Sequence, residues 1–242
     1  MGNNSENLAS IVRIIGCDYK KIDKSYSGQQ ITQLYLKEYE NGRRSGYTPI
    51  ILSCDDSLAE ILEINSKING NVEEYRKKVS NVDSAYGKEF LRNRFQDLVE
   101  NIKKYYGNTV NIYGDFDDKM KPWKAFDSLS SNELILVKIP TLNPWEVFAW
   151  ISFGGWNECP DAEEMIAVCK YWYQLHKAVP AVISGDSLQM YCFEPVRERS
   201  DALKLAEEQY GFCNDIIDQG IEKIKLLASL LINSTVWSFW WD

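Results

Sequence analysis

Past residue 133 the chain changes texture, and this change limits the possible fold more than any other feature of the sequence. Residues 134–139, Leu-Ile-Leu-Val-Lys-Ile, form a short apolar run, as do residues 179–184 and 189–193 on either side of Gly185-Asp186-Ser187. Runs of this length bounded by Gly, Pro, Asp and Ser read as strands, and two of them around a turn tripeptide read as a hairpin. Residues 145–153, fenced by Pro140 and Pro144 in front and Gly154-Gly155 behind, read as another strand. The closing Trp237-Ser238-Phe239-Trp240-Trp241-Asp242 reads as a terminal one. There a two-residue period puts Trp237, Phe239 and Trp241 on one face and Ser238, Trp240 and Asp242 on the other, so the first set is expected to be buried.

Helical signals surround these runs. Pro160, followed by Asp161, Glu163 and Glu164 at the positive end of a helix, opens a segment reaching about His176, with a core stripe of Met165, Val168, Cys169, Trp172 and Leu175. Ser200 is read as the cap of a helix carrying Leu203 and Ala206, and after Gly211 a further helix spans about 214–232. Upstream, residues 11–15 are apolar and fit strand or helix. Ile31, Leu34, Tyr35 and Tyr39 fit a helix over 30–41 that Asn41-Gly42 ends. Residues 47–52 read as a strand whose front end, at Pro49, lies at an edge or a strand start. Ser57 with Glu60, and Asn71 with Glu74, have the spacing of capping boxes, the first opening a helix that buries Leu58, Ile61 and Leu62. From Ser84 a longer helix places Phe90, Leu91, Phe95, Leu98, Val99, Ile102 and Tyr106 on one face before Gly107. Residues 109–113 fit a strand, and 114–131, rich in Asp, Lys and Ser, form the best candidate for a lobe boundary. The expected fold is therefore α+β: a mixed β-sheet flanked by helices, carried by a domain over 131–242, behind an α-rich lobe over 1–130.

With 27 basic and 35 acidic residues the net charge is −8, which argues against sequence-independent nucleic-acid binding and leaves a protein or cationic partner easier to accommodate. No stretch approaches the roughly 20 apolar residues of a membrane span. The start, MGNNSENLAS, lacks a basic region followed by an apolar run, so a cytoplasmic protein outside the membrane is expected. The 6 cysteines show no paired spacing and are expected to be reduced.

Four patches in the C-terminal half carry a resemblance: Asn143-Pro144-Trp145-Glu146-Val147, Phe153-Gly154-Gly155-Trp156-Asn157-Glu158-Cys159-Pro160, Ala206-Glu207-Glu208-Gln209-Tyr210 with Phe212-Cys213-Asn214-Asp215, and Trp237 through Asp242. In order and spacing they resemble the bacterial domain-of-unknown-function family 4253, over about residues 131–242. The resemblance implies an intracellular bacterial protein and brings no reaction, ligand or partner with it.

Candidate chemistry centres on these patches. Cys159 precedes a helix start, where the backbone dipole lowers a thiol pKa, but a nucleophile needs a base. The lone histidine, His176, lies at the far end of that helix, about 25 Å away at roughly 1.5 Å per residue. A zinc set of Cys159, Cys213, His176 and Asp215 lacks the paired spacing that would preorganise it, so no metal and no cofactor are expected. Asp215, Asp218 and Glu222 would share one face of a continuous helix, with Glu207 and Glu208 shortly before it. Asn157 and Glu158 follow a Gly-Gly bend that either aims them into a cleft or ties down a turn.

Two functions follow as expectations. One is a non-enzymatic intracellular protein-binding module, an immunity-type or regulatory partner, contacting its partner through Asn157, Glu158, Asp215 and Trp240. The other is a hydrolytic enzyme using Glu158, Cys159, Glu208 and Asp215 around one cleft. Convergence of those four side chains would favour the enzyme and dispersal the binder.

Overall fold

The structure is a computed structural model and describes residues 3–107, 110–127 and 132–242. Among the described residues six strands build one sheet: β1 (Tyr19–Ile22), β2 (Thr48–Ser53), β3 (Leu134–Ile139), β4 (Ala178–Ile183), β5 (Ser187–Cys192) and β6 (Val236–Trp240), in the order β1-β3-β2-β4-β5-β6. Every neighbouring pair is antiparallel except β2 and β4, which run parallel through Ile51↔Val182 and Leu52↔Ile183. The sheet is mixed and flanked by helices, so the fold is α+β. Its strands come from both sides of residue 131, with β2 inserted between β3 and β4.

The helices are α1 (Asn3–Ile15), α2 (Gly28–Ser45), α3 (Asp56–Asn69), α4 (Val72–Ser80), α5 (Ser84–Tyr106), α6 (Ala162–His176), α7 (Arg199–Phe212) and α8 (Ile224–Leu231). Because strand side chains alternate between faces, the strands other than β1 feed two cores. Ile51, Leu134, Leu136, Val179 and Val182 meet Ile31 and Tyr35 of α2, and the Tyr35 hydroxyl donates to Pro180 O at 2.9 Å. On the other face Ile50, Leu52, Ile135, Val137, Leu188 and Met190 join the larger core under α1, α3 and α5–α8. Trp237, Phe239 and Trp241 of the last patch lie in this core, as their period implied. Trp172 is its hub: Trp237, Phe212 and Phe239 all pack on it, with ring centroids 5.0 to 5.7 Å away.

Several local expectations need correction. α2 runs past Gly42 to a left-handed cap at Gly46, because Gly42 lets the Tyr47 carbonyl approach to within 2.3 Å of where a Cβ would sit. Pro49 does lie at a strand start, as the second residue of β2, but the strand is central in the sheet; its parallel pairing with β4 involves only Ile51 and Leu52. α3 is capped by Asp55, whose carboxylate accepts from Leu58 N–H, rather than by Ser57. Ile61 is only partly buried there, Leu175 is exposed on α6 and Tyr106 is exposed at the end of α5. Glu198, not Ser200, occupies the cap position of α7.

Residues 145–153 are not a strand. Pro144 starts a 3-10 helix, Pro144–Ala149, in which Val147, Phe148 and Ala149 are buried. The expected helix over 214–232 is also broken. A π-helical turn, Ile216–Ile221, ends at Glu222, whose φ is +70°, and α8 starts afresh. The first amides of α8 are satisfied from outside: Ile224 N–H donates to Ile112 O at 3.0 Å and Lys225 N–H to Tyr113 O at 2.9 Å. Residues 110–113 therefore supply capping carbonyls instead of a strand, while Thr109 lies outside the described residues. The stretch that composition marked as a boundary is in part a strap. Trp123 O accepts from Thr235 and Val236, Phe126 N–H donates to Thr32 Oγ1 and Asp127 N–H to Gln189 Oε1. Residues 128–131 lie outside the described residues.

Candidate functional site: the junction at Asp242

The Gly-Gly bend sets up the junction. Gly154 and Gly155 hold φ of +95° and +83°, and Gly155 N–H donates to both Cys159 O and Pro160 O, closing the loop before α6. Asn157 sits in the left-handed region at φ +45°, where Asn is among the few side chains found readily. The loop thereby aims the Asn157 amide at the end of the chain, donating to Asp242 O at 3.0 Å. From the opposite side Asp215 Oδ2 accepts from Asp242 N–H at 3.0 Å, while its Oδ1 accepts from Gln219 Nε2 at 3.0 Å. The Cys213 thiol donates to Trp240 O at 2.9 Å, and the half-buried Trp240 ring lies over Gly220. Three of the four sequence patches thus meet, and the groups that meet are holding the last residues of β6 and its extension.

Glu158 and Glu208 stand apart from this junction. Glu158 is exposed and pairs with Arg94 of α5 at 2.9 Å, while its carbonyl accepts from the same guanidinium at 3.1 Å. Glu208, on α7, accepts from the Tyr171 hydroxyl and from Trp172 Nε1, each at 2.9 Å. Burial pushes its carboxyl above the usual range, against the lowering effect of those two bonds. Cys159 is buried, and burial, with the neighbouring Cys213 adding to it, pushes its thiol far up. Burial raises Cys213 in the same way, to about 12. Both therefore stay protonated at neutral pH, the opposite of what nucleophilic thiols need. His176, at the other end of α6, packs edge-on against Trp237 and is held below its usual value by burial. Asp215, Asp218 and Glu222 do not form an acidic helical face, since the π-turn intervenes and Asp218 accepts from the Tyr210 hydroxyl at 2.8 Å.

Sequence reasoning missed Arg94, Tyr171, Gln219 and Asp186, whose carbonyl accepts from Trp241 N–H. Gln219 lies four residues after Asp215, a spacing the sequence does show, but the others act across intervals set by packing: the Arg94–Glu158 contact spans 64 residues, so no local spacing could have revealed it. Among the described residues no group of three or more His, Cys, Asp or Glu side chains is placed to hold a metal ion, and no helix is long and apolar enough to cross a membrane.

Residues 135–242 match the family model described as Domain of unknown function (DUF4253). The matched segment runs from β3 through the junction at Asp242. No curated protein and no solved structure matches the chain.

The two carboxylates should behave differently on amidation. Asp215→Asn replaces an acceptor with an NH2 group facing a donor, either Asp242 N–H or Gln219 Nε2, and is expected to cost about 1–3 kcal/mol in a denaturant melt. Glu158→Gln disturbs only an exposed ion pair, and its expected change is about 0.5 kcal/mol or less. Equal losses in the two variants would contradict the assignment of Asp215 as wiring of the chain end.

Proposed function

We propose that this chain is a non-enzymatic protein-binding module acting in the bacterial cytoplasm, an immunity-type or regulatory partner of another protein. The observation that carries the reading is that the four candidate catalytic side chains do not surround one cleft: Cys159 and Asp215 lie at the Asp242 junction, and Glu158 and Glu208 stand apart from it. Cys159 is buried, Asp215 is engaged with Asp242 and Gln219, Glu158 pairs with Arg94 on the surface, and Glu208 faces a separate cleft. The hydrolytic alternative needs them around one reacting centre. All six cysteines are free, which suits a reducing compartment, and the net charge of −8 disfavours nucleic acid as the partner.

The docking face we assign is the end of α5. Tyr105 and Tyr106 are 70% and 73% exposed, beside a groove of about 290 Å³ whose apolar lining includes Ile102, Val110 and Ile217. Exposed aromatics next to an apolar groove are the residues that anchor protein interfaces. Asp218 and Glu222 stand on the groove wall, and Lys223 beside them donates to Asn111 O at 2.9 Å, so the partner we expect presents a basic rim around an apolar centre. The test is isolation of the partner with the wild-type chain, then calorimetry of the two purified proteins with wild type and with the Tyr105→Ala/Tyr106→Ala variant. A loss of at least about 10-fold in affinity is expected, because a hot-spot aromatic is worth about 2 kcal/mol or more. Binding that ignores the double variant, or turnover of a substrate abolished by Glu208→Gln alone, would overturn the reading.

A further inference from the structure

A second cavity, separate from both the Asp242 junction and the α5 tip, opens where α5, α6 and α7 come together. The helices are drawn close by two glycines. A Cβ on Gly87 would stand 2.3 Å from Ala167 O of α6, and one on Gly211 2.5 Å from Leu91 O of α5. Between these contacts a cleft of about 330 Å³ remains, within the size range of small-molecule sites.

Its lining is chemically divided. Leu91 and Phe95 of α5 give it an apolar wall. Glu208 gives it a partly buried carboxylate, fixed by Tyr171 and Trp172 with one hydrogen bond to each oxygen. A carboxylate oxygen has two lone pairs, so this fixed group keeps accepting capacity for a further donor. Three cationic side chains also line the cleft: Lys88 and Arg92 from α5 and Lys204 from α7. Arg92 and Lys204 make only exposed ion pairs, to Glu89 at 3.6 Å and Asp201 at 3.3 Å, and such pairs are weak enough to exchange for a ligand. Glu207, the remaining acid of the cleft, is engaged by the Tyr113 hydroxyl at 2.8 Å.

We propose that this cleft binds a small zwitterion with an apolar body, of the chemical class of a free α-amino acid with a large side chain. Its ammonium donates to Glu208, its carboxylate meets Lys88, Arg92 and Lys204, and its side chain covers Leu91 and Phe95. A simple carboxylate would leave the fixed Glu208 facing an apolar ligand. A simple amine would leave Lys88, Arg92 and Lys204 with no ligand group to engage. Only a ligand with both charges engages Glu208 and the cations together. The inference is independent of the protein-binding reading, since none of these residues lines the α5-tip groove.

The probes are L-phenylalanine and L-leucine, with 3-phenylpropionate and 2-phenylethylamine as analogues lacking one charge each. Binding to the full chain would be read by calorimetry and by ligand-observed NMR. The expected result is saturable binding of an amino acid, at least 10-fold weaker for both single-charge analogues. Glu208→Gln and, separately, Lys88→Ala/Arg92→Ala should each weaken it at least 10-fold. The second variant changes only exposed side chains, so its folding is not at issue, and an unchanged melting curve would confirm that. The proposal fails if neither amino acid binds, if a single-charge analogue binds as tightly as the amino acid, or if the Lys88→Ala/Arg92→Ala variant binds as wild type does.

Discussion

Trp172→Ala should lower the free energy of unfolding by about 3–5 kcal/mol, a large share of the roughly 5–15 kcal/mol that a domain has. The side chain has no solvent exposure, and its indole stacks nearly parallel to Phe239 at 10° while Phe212 and Trp237 meet it edge-on. Truncation therefore opens a cavity among aromatics that cannot collapse together, because Trp237 and Phe239 are fixed by β6 and Phe212 by α7. It also removes the Nε1 donor from Glu208, leaving that half-buried carboxylate with Tyr171 alone. Urea denaturation followed by circular dichroism gives the value directly, and a loss below about 1.5 kcal/mol would mean that the core repacks around the gap. Trp172→Phe should lose less, since it keeps most of the ring contacts and forfeits mainly the hydrogen bond.

How much of this arrangement the sequence discloses depends on whether a feature is local. The hairpin of β4 and β5 was legible because two apolar runs flank a Gly-Asp-Ser turn. The burial of Trp237, Phe239 and Trp241 was legible because a strand repeats every two residues. The cap of α6 was legible in outline, with Asp161 and Glu164 completing a reciprocal pair across its first turn. What failed was non-local in cause. Gly42 looks like a helix stop, but it serves as a contact point for the Tyr47 carbonyl and the helix passes through it. The apolar run over 145–153 carries strand composition, yet Pro144 and the tight bonds back to Val147 O wind it into a buried turn. The break at Glu222 follows from carbonyls at Ile112 and Tyr113, more than 100 residues away in the chain, which take over the first amides of α8.

For the candidate residues the division is the same. Asn157, Cys159, Cys213 and Asp215 were singled out by their patches, and they do gather at one place. Sequence could not say that the target of Asn157 and Asp215 is the backbone of Asp242, because that contact exists only once β6 is paired with β5. Glu208 was grouped with them by proximity in sequence. The helix periodicity of α7 instead turns it toward α6, where Tyr171 and Trp172 wait.

The Gly154-Gly155 bend yields the sharpest contrast between neighbouring positions. At Gly154 a methyl group would stand 1.9 Å from Pro160 O, a backbone atom, and the φ of +95° is itself unfavourable for an L side chain. Gly154→Ala therefore combines about 1–3 kcal/mol of conformational strain with about 1–3 kcal/mol of forced displacement in the packed loop. At Gly155 the φ of +83° carries a similar conformational penalty, but the nearest atom to a new methyl group is Asp161 Cβ at 4.0 Å, an ordinary contact. Gly155→Ala should thus show only the strain, about 1–3 kcal/mol. The two variants, melted side by side, are expected to differ by the displacement alone, with Gly154→Ala the less stable. Because opening this loop shifts Asn157, Gly154→Ala should also weaken its bond to Asp242 O and speed amide exchange in β6, whereas Gly155→Ala should leave that exchange near wild type. Equal stabilities, or faster exchange in the Gly155 variant, would show that the loop does not hold the end of the sheet in the way its hydrogen bonds indicate.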